Sequence, residues 1–133
     1  MGDNILIFHV IGIGTDIVEI ARISDVLNRQ EDKFVERILT ESEQKHYQKS
    51  HQKAAFLAKR FAVKEAVAKA LGTGIGHGVS FQDMVITNDV KGAPQISLSG
   101  GAAKILAKKE GSVVLISIAD ERDYAIAYAV LSS

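Results

Sequence analysis

The sequence predicts an α+β fold in which an antiparallel sheet packs against one long helix and several shorter helices. The helical patterns cluster in the first half of the chain, whereas most strand patterns follow in the second half. The last two strand patterns are joined by the short charged segment DERD, which is typical of an antiparallel hairpin. With 133 residues, 47% of them apolar, the chain has the length and core material of one domain over 1–133.

The first half begins with an isoleucine- and valine-rich segment that predicts a strand over 5–18. The segment TESE at 40–43 matches a capping box and predicts the start of a helix there. Gly72 follows the longest helical pattern and is a favoured residue just past a helix end. Helices are therefore predicted over 19–30, 32–39, 41–50 and 53–71.

The second half predicts four strands and one helix. Strands over 79–89 and 94–99 flank VKGAP, which has turn chemistry. Glycines bound a helix over 101–111, and the final hairpin pairs strands over 112–119 and 124–131.

The composition excludes several classes of protein. Sixteen basic and sixteen acidic residues cancel, which disfavours a nucleic-acid binder. No cysteine is present, so a disulfide framework and a cysteine zinc site are both excluded. The apolar N-terminal segment lacks a basic region and is too short to cross a membrane. We therefore expect a cytoplasmic protein with no membrane partner.

The longest predicted helix carries two cations within its apolar face. At about 100° per residue, Arg60 and Lys64 point into the middle of that face, whereas Glu65 and several alanines lie opposite. Charges are rarely buried alone, so two interpretations stay open. The cations form packed ion pairs or extend to the edge of the face, or they bind an anion. The small alanines leave room for a ligand or another chain to approach.

Glu65 and Lys69 lie four residues apart with the glutamate first, the orientation that favours a surface ion pair of about 0.2–0.5 kcal/mol. The following loop, GTGIG at 72–76, matches neither the P-loop nor the dinucleotide fingerprint. Its glycines would allow backbone N–H groups to approach a phosphate. A Schellman-type helix end explains the same residues.

Asp16 lies on the same face of the first predicted strand as Gly12 and Gly14. If that face meets the long helix, Asp16 and Glu65 can share one cation. Magnesium suits such a site, because it binds through few carboxylates and completes its octahedron with water and phosphate oxygens. The alternative is that Asp16 caps a backbone group or pairs with Arg22.

Two motifs, GIGTDIVEI at 12–20 and FLAKRFAVKEAVAKALGTGIG at 56–76, together resemble the holo-acyl-carrier-protein synthases, the short bacterial 4'-phosphopantetheinyl transferases. RILTESE, VSFQDMVI and ISIADERDYAIA follow in the order expected of that family. The resemblance implies an enzyme that transfers phosphopantetheine from coenzyme A to a serine of apo-acyl carrier protein. It also implies release of adenosine 3',5'-bisphosphate, use of Mg²⁺ and a homotrimer with sites at its subunit interfaces.

The resemblance further implies roles for single residues. Asp16 and Glu65 would hold the metal, and Lys69 would contact phosphate as the third catalytic residue. The base that accepts the serine proton is left open between Glu65 and a metal-bound water. Contacts to coenzyme A are expected from Arg60, Lys64, Lys69, Gly72, Thr73, Gly74 and Pro94. The acidic carrier protein is expected to dock on Arg22, Arg29, Lys33 and Arg37.

One position departs from the family pattern, because Asp120 stands where many relatives carry a histidine near the nucleotide. This departure leaves open a second hypothesis, a nucleotide-binding or assembly module without catalysis. A structural trimer without a ligand is the third.

Overall fold

A three-stranded antiparallel sheet and one long helix form the centre of the fold. The computed structural model describes residues 7–133. The sheet order is β1-β5-β4, and β2 and β3 form a separate antiparallel hairpin. The α+β class is therefore confirmed. The elements are β1 (Val10–Glu19), α1 (Ile20–Ile38), α2 (Glu41–Lys49), α3 (Lys53–Ala70), β2 (Met84–Asn88), β3 (Pro94–Leu98), α4 (Gly100–Lys108), β4 (Val113–Asp120) and β5 (Tyr124–Ser132).

The break predicted between the first two helices appears as a kink within α1. Gln30 has φ −157° and ψ 57°, which is not a helical conformation. The capping box predicted for α2 is also present. The Thr40 side chain accepts from the backbone N–H of Glu43, and the Glu43 carboxylate accepts from that of Thr40.

Two predicted strands begin too early. β1 starts at Val10, and residues 5 and 6 of the prediction lie outside the described residues. The strand predicted over 79–89 starts only at Met84. The Ser80 and Asp83 side chains cap a single 3₁₀ turn at Phe81–Asp83, and this turn replaces the first part of the strand.

Helix α3 lies between the inner face of the sheet on one side and α1 and α2 on the other. Ala58, Ala62 and Ala66 are fully buried in this position. The expected approach of a ligand or another chain at the alanines is therefore wrong within this chain, because β1 occupies that space. Contact is closest at Gly12 and Gly14, where a Cβ would overlap backbone atoms of α3.

The outer face of the sheet is apolar and exposed. Ile13 and Ile17 of β1 are 73% and 61% exposed, and Leu115 of β4 and Tyr128 of β5 are each 58% exposed. We call these four residues the outer apolar patch. Among residues 7–133, no helix combines the length and apolar character needed to span a bilayer.

Candidate active site

Asp16 and Lys69 form the visible contact between β1 and the end of α3. Lys69 Nζ donates to Asp16 Oδ1 at 2.9 Å and to the Thr15 carbonyl oxygen at 3.0 Å. Lys69 is half exposed, whereas the Asp16 side chain is only 16% exposed. The predicted meeting of this strand face with the long helix is thus present. Arg22 lies 3.8 Å from Glu19. Asp16 therefore pairs with Lys69 and not with Arg22.

Glu65 lies close enough to Asp16 for their charges to interact. Partial burial raises the pKa of Glu65, and the negative charge of Asp16 raises it further. Lys69 and Arg37 oppose this rise in the pKa with their positive charges. The arrangement holds two carboxylates together against their mutual repulsion, and a bound cation would relieve that repulsion.

The donor set limits which metal could bind. Across residues 7–133, no three or more His, Cys, Asp and Glu side chains form a group able to hold a metal ion. Asp16 and Glu65 therefore offer two carboxylates and leave other positions for water or ligand oxygens. This fits magnesium, which usually keeps several waters and binds phosphate alongside one or two carboxylates.

The glycine loop ends α3 as a Schellman motif. Gly72 N donates to Lys69 O at 2.9 Å, and Thr73 N and Gly74 N donate to Ala68 O at 3.3 and 3.0 Å. Gly72 has φ 84°, the left-handed conformation that this motif requires just past the C-cap, and Gly74 also has a positive φ of 64°. These amides already have acceptors. What the loop offers a ligand is open backbone surface beside Gly74, where a Cβ would have no other atom within 4 Å.

Lys64 lies in the core. Its side chain has no exposed surface, and its ammonium contacts Glu43 at 2.6 Å. Burial lowers the pKa of Lys64, and Glu43 opposes that shift. Of the two interpretations left open by the sequence, the packed ion pair describes this residue. Its position leaves no open side for a coenzyme phosphate, so we correct the expectation of a Lys64–coenzyme contact.

Arg60 lies at the wall of a cavity of about 320 Å³. Its guanidinium stacks on the Phe56 ring at 4.8 Å, and its Nε lies 3.5 Å from Glu43 Oε2. Nε is buried without a hydrogen-bond partner among the described residues. Burial lowers the pKa of Arg60. The cavity is also lined by His46, Ile86, Thr87 and Asn88.

Pro94 opens β3 and lies in a neighbouring groove between the β2–β3 hairpin and β4. Thr87 lines both this groove and the Arg60 cavity, so the two surfaces adjoin at that residue. Val114 and Ile116 of β4 complete the apolar side of the groove. A ligand with a phosphate and a flat apolar group could span both.

The four cations expected to dock a carrier protein are all exposed on α1, two on each side of the kink. Arg37 is nearest to the carboxylates, since its charge acts on the pKa of Glu65. Its guanidinium also lies 5.7 Å from the Phe81 ring centre. Arg22 and Arg29 precede the kink at Gln30, and Lys33 and Arg37 follow it.

Sequence reasoning missed Glu43 as a partner of the helix cations. Its role in the capping box was predicted, but its carboxylate is 1% exposed and contacts both Lys64 and Arg60. The available signal was a lysine in an apolar helix face together with an acidic residue at the start of the preceding helix.

Residues 12–129 match the model of the 4'-phosphopantetheinyl transferase superfamily. A holo-[acyl-carrier-protein] synthase of Shewanella frigidimarina is 56% identical over 124 residues, which cover 93% of this chain and 98% of that protein. The crystal structure of holo-[acyl-carrier-protein] synthase from Neisseria meningitidis has a TM-score of 0.87 and 39% identity, over 92% of this chain and 98% of the other. The Helicobacter pylori synthase in complex with coenzyme A has a TM-score of 0.79 and 39% identity, over 90% and 98%.

Proposed function

Because the chain belongs to the 4'-phosphopantetheinyl transferase superfamily, we propose that it is a holo-[acyl-carrier-protein] synthase that supports fatty acid biosynthesis. The serine hydroxyl of apo-acyl carrier protein attacks the phosphorus next to pantetheine. A new P–O bond to serine forms, and the pyrophosphate bond breaks to release adenosine 3',5'-bisphosphate. The serine proton passes to solvent, directly or through Glu65. The juxtaposition of Asp16, Glu65 and Lys69 supports this reaction most strongly.

Asp16 and Glu65 are proposed to hold Mg²⁺. The bound ion would offset the negative charge of the pyrophosphate. Phosphoryl transfer depends mostly on positioning and on stabilising the charge that develops on phosphate oxygens. The half-exposed Lys69 has the reach to leave Asp16 and contact those oxygens. Lys69 is therefore the third proposed catalytic residue, after Asp16 and Glu65.

The rest of coenzyme A is proposed to lie along the glycine loop and toward Arg60. Gly72, Thr73 and Gly74 are proposed to contact the coenzyme, and the open backbone surface beside Gly74 would admit it most closely. Arg60 lines a cavity, and its Nε is turned toward Glu43, so its terminal N–H groups are proposed to bind a phosphate group of the nucleotide there. The groove at Pro94 would receive the flat base.

The carrier protein is proposed to dock on α1 through Arg22, Arg29, Lys33 and Arg37. These cations run from the start of the helix to Arg37, whose charge reaches Glu65. A net-neutral chain can steer an acidic partner through such a local field. Docking there would bring the substrate serine toward the two carboxylates.

A homotrimer is proposed from the family resemblance, and the outer apolar patch supports association between copies of the chain. Exposed large apolar residues that form one continuous surface mark interaction sites in soluble proteins. Ile13, Leu115 and the intervening Val130 lie side by side in the strand register, and Thr15, Tyr128 and Ser117 form the next row. A second copy of the chain suits this surface. The cytoplasmic location expected from the sequence stays a prediction.

The test is a mass spectrum of apo-acyl carrier protein after incubation with the chain and coenzyme A. One sample contains Mg²⁺ and a second contains a chelator. The proposal expects the mass of one phosphopantetheine group to be added only in the presence of metal, and expects D16A to abolish the addition. Coenzyme A binding without any mass gain would favour the non-catalytic module and make Asp120 the first residue to change.

A further inference from the structure

The ammonium of Lys64 directs its three protons at three acceptors inside the core. Nζ donates to Glu43 Oε1 at 2.6 Å, to Ile38 O at 2.7 Å and to Phe81 O at 3.2 Å. A lysine has three protons and accepts none, so its hydrogen-bonding capacity is used completely. The residue adjacent to the proposed metal ligand Glu65 is therefore engaged with the protein itself.

Glu43 completes the network from α2. Its Oε1 accepts from Thr40 N at 2.9 Å, and its Oε2 accepts from Ile86 N at 3.0 Å. The Glu43–Lys64 pair thus joins α3 to the end of α1, the start of α2, the 3₁₀ turn and β2. A buried ion pair contributes little net stability, because desolvation offsets the attraction between its charges. The directions of its hydrogen bonds are therefore more informative than its contribution to stability.

Helix α3 is held from two sides around Glu65. Lys64 is bound on one side, and on the other the backbone of Ala66 meets Gly14 of β1. The direction of the Glu65 carboxylate therefore depends on how α3 is rotated between these two contacts. For a helix about 10–12 Å across, a rotation of about 10° moves a side-chain end by roughly 1 Å. A misplacement of about 1 Å can cost about 10²-fold in rate.

We infer that Glu43 and Lys64 are positioning residues whose buried pair fixes the rotation of α3 and so directs the Glu65 carboxylate toward Asp16. The inference rests on the proposed function for the role of Glu65. It assigns contact with coenzyme A to Arg60, which lines a cavity, and to Lys69, which is half exposed. An apolar pair of similar volume would fill the space but would lack the three directed bonds that specify the rotation.

The experiment uses the double variant E43Q/K64M, which removes both charges of the pair with little change in volume and keeps an amide oxygen at position 43 beside Arg60. Mn²⁺ binding is measured by electron paramagnetic resonance with coenzyme A present and carrier protein absent. The expected result is a weakening of Mn²⁺ binding of about tenfold or more, a fall in kcat of about 10²-fold and a KM for coenzyme A that stays the same. A purely structural pair would leave the metal affinity of a folded variant unchanged.

The control is K104M, which removes an exposed lysine of α4 and is expected to match the parent. Circular dichroism and a cooperative melt establish folding. If E43Q/K64M does not fold, K64R takes its place, since a planar guanidinium cannot direct three protons at the same three acceptors. Parental Mn²⁺ affinity and kcat in the folded variant would overturn the inference.

A raised KM for coenzyme A with unchanged Mn²⁺ affinity would also overturn it, because the pair would then act on coenzyme binding through Arg60, which contacts Glu43, and not on Glu65. Mn²⁺ binding requires no turnover. A parent chain that binds Mn²⁺ and coenzyme A but leaves carrier protein unmodified would therefore contradict the proposed function and not the positioning role.

Discussion

Gly14 and Ala66 bring β1 and α3 into backbone contact, because a Cβ at position 14 would overlap the carbonyl oxygen of Ala66 and lie 2.8 Å from Ala70 N. Backbone atoms of a buried helix cannot move aside as a flexible side chain can. Asp16 lies two residues beyond Gly14 on the same face of β1. The two glycines of β1 therefore set the distance between the strand that carries one carboxylate and the helix that carries the other.

The variant G14A should separate the proposed metal ligands. An added methyl in a closely packed interior costs about 1–3 kcal/mol, and β1 can accommodate it only by moving away from α3. We expect a lower melting temperature, weaker Mg²⁺ activation and a fall in kcat of about tenfold or more. Thermal unfolding and steady-state kinetics at several Mg²⁺ concentrations measure these effects. A variant with the parent's Mg²⁺ dependence would contradict the role of the contact.

The sequence raised the contact between β1 and α3 as a hypothesis, whereas the Glu43–Lys64 pair was missed. The alternation along β1 placed Gly12, Gly14 and Asp16 on one face, and strand glycines often mark a close approach of another backbone. The periodicity of α3 located Lys64 in an apolar face. It gave no information about its partner, because that partner belongs to another helix and the pairing depends on tertiary structure.

The same limit explains other differences between sequence and structure. The break predicted between the first two helices is present at Gln30, within the polar run NRQEDK at 28–33 that interrupts the apolar pattern. The 3₁₀ turn at Phe81–Asp83 was hidden within a segment of strand-like composition, and its capping by Ser80 was not recognised. Whether the apolar outer residues of the sheet are covered depends on other copies of the chain, which periodicity within one chain does not reveal.

The pKa of Glu65 predicts how the stability of the metal-free protein varies with pH. Its pKa is raised in the folded state above the ordinary value of 4.5. Between these two values the folded chain binds more protons at Glu65 than the unfolded chain does. The contribution of Glu65 to the free energy of unfolding therefore falls as the pH rises through this interval.

Accordingly, E65Q should be more stable than the parent in chelator at neutral pH, and the difference should shrink as the pH falls toward the ordinary pKa of a glutamate. Denaturant unfolding of both proteins over this range measures the difference, in which titrations shared by the two proteins cancel. Added Mg²⁺ should reverse the order, because a ligand at about 100 times its Kd stabilises the parent by about 2.7 kcal/mol. A parent more stable than E65Q without metal at neutral pH would contradict the assignment.

Replacement of Lys69 is predicted to have opposite effects on catalysis and on metal binding. In the proposed reaction it stabilises phosphate oxygens, and removal of one such group costs about 10²–10³-fold in kcat. Without coenzyme, however, its ammonium occupies Asp16 Oδ1 at 2.9 Å and competes with a metal. We expect K69M to lose activity to this extent while binding Mn²⁺ in the absence of coenzyme at least as tightly as the parent.

Calorimetry with Mn²⁺ and a kcat measurement on the same preparation test this pair of effects. K108M removes a lysine from the last turn of α4 and serves as the control. Metal affinity that falls in parallel with kcat would mean that Lys69 supports the metal ligands and does not compete for them.

The outer apolar patch predicts the oligomeric state. Leu115 of β4 is 58% exposed, and a charge there would be buried against the next copy in the proposed trimer. We expect L115E to change the mass from three chains to one in light scattering after size exclusion. V90E places the same charge on a fully exposed turn residue outside the patch and should stay trimeric. A parent of one-chain mass at working concentration would remove the trimer.

The final prediction concerns Arg22, whose side chain is 84% exposed and has only the neighbouring Glu19 at 3.8 Å among the described residues. An exposed pair of this kind contributes at most about 1 kcal/mol to stability, so a change here should leave the fold intact. If Arg22 meets an acidic carrier protein, R22E places like charges opposite each other. We expect the KM for apo-acyl carrier protein to rise by about tenfold or more, with the KM for coenzyme A unchanged.

Salt separates this effect from a general loss of activity. Attraction between exposed charges is screened over a Debye length of about 8 Å at physiological ionic strength. The KM of the parent for carrier protein should therefore rise with added salt, whereas that of R22E should vary less. K91E, in the exposed turn between β2 and β3, is the matched charge reversal and should behave as the parent. Equal changes in R22E and K91E would mean that net charge, and not docking at α1, controls the association.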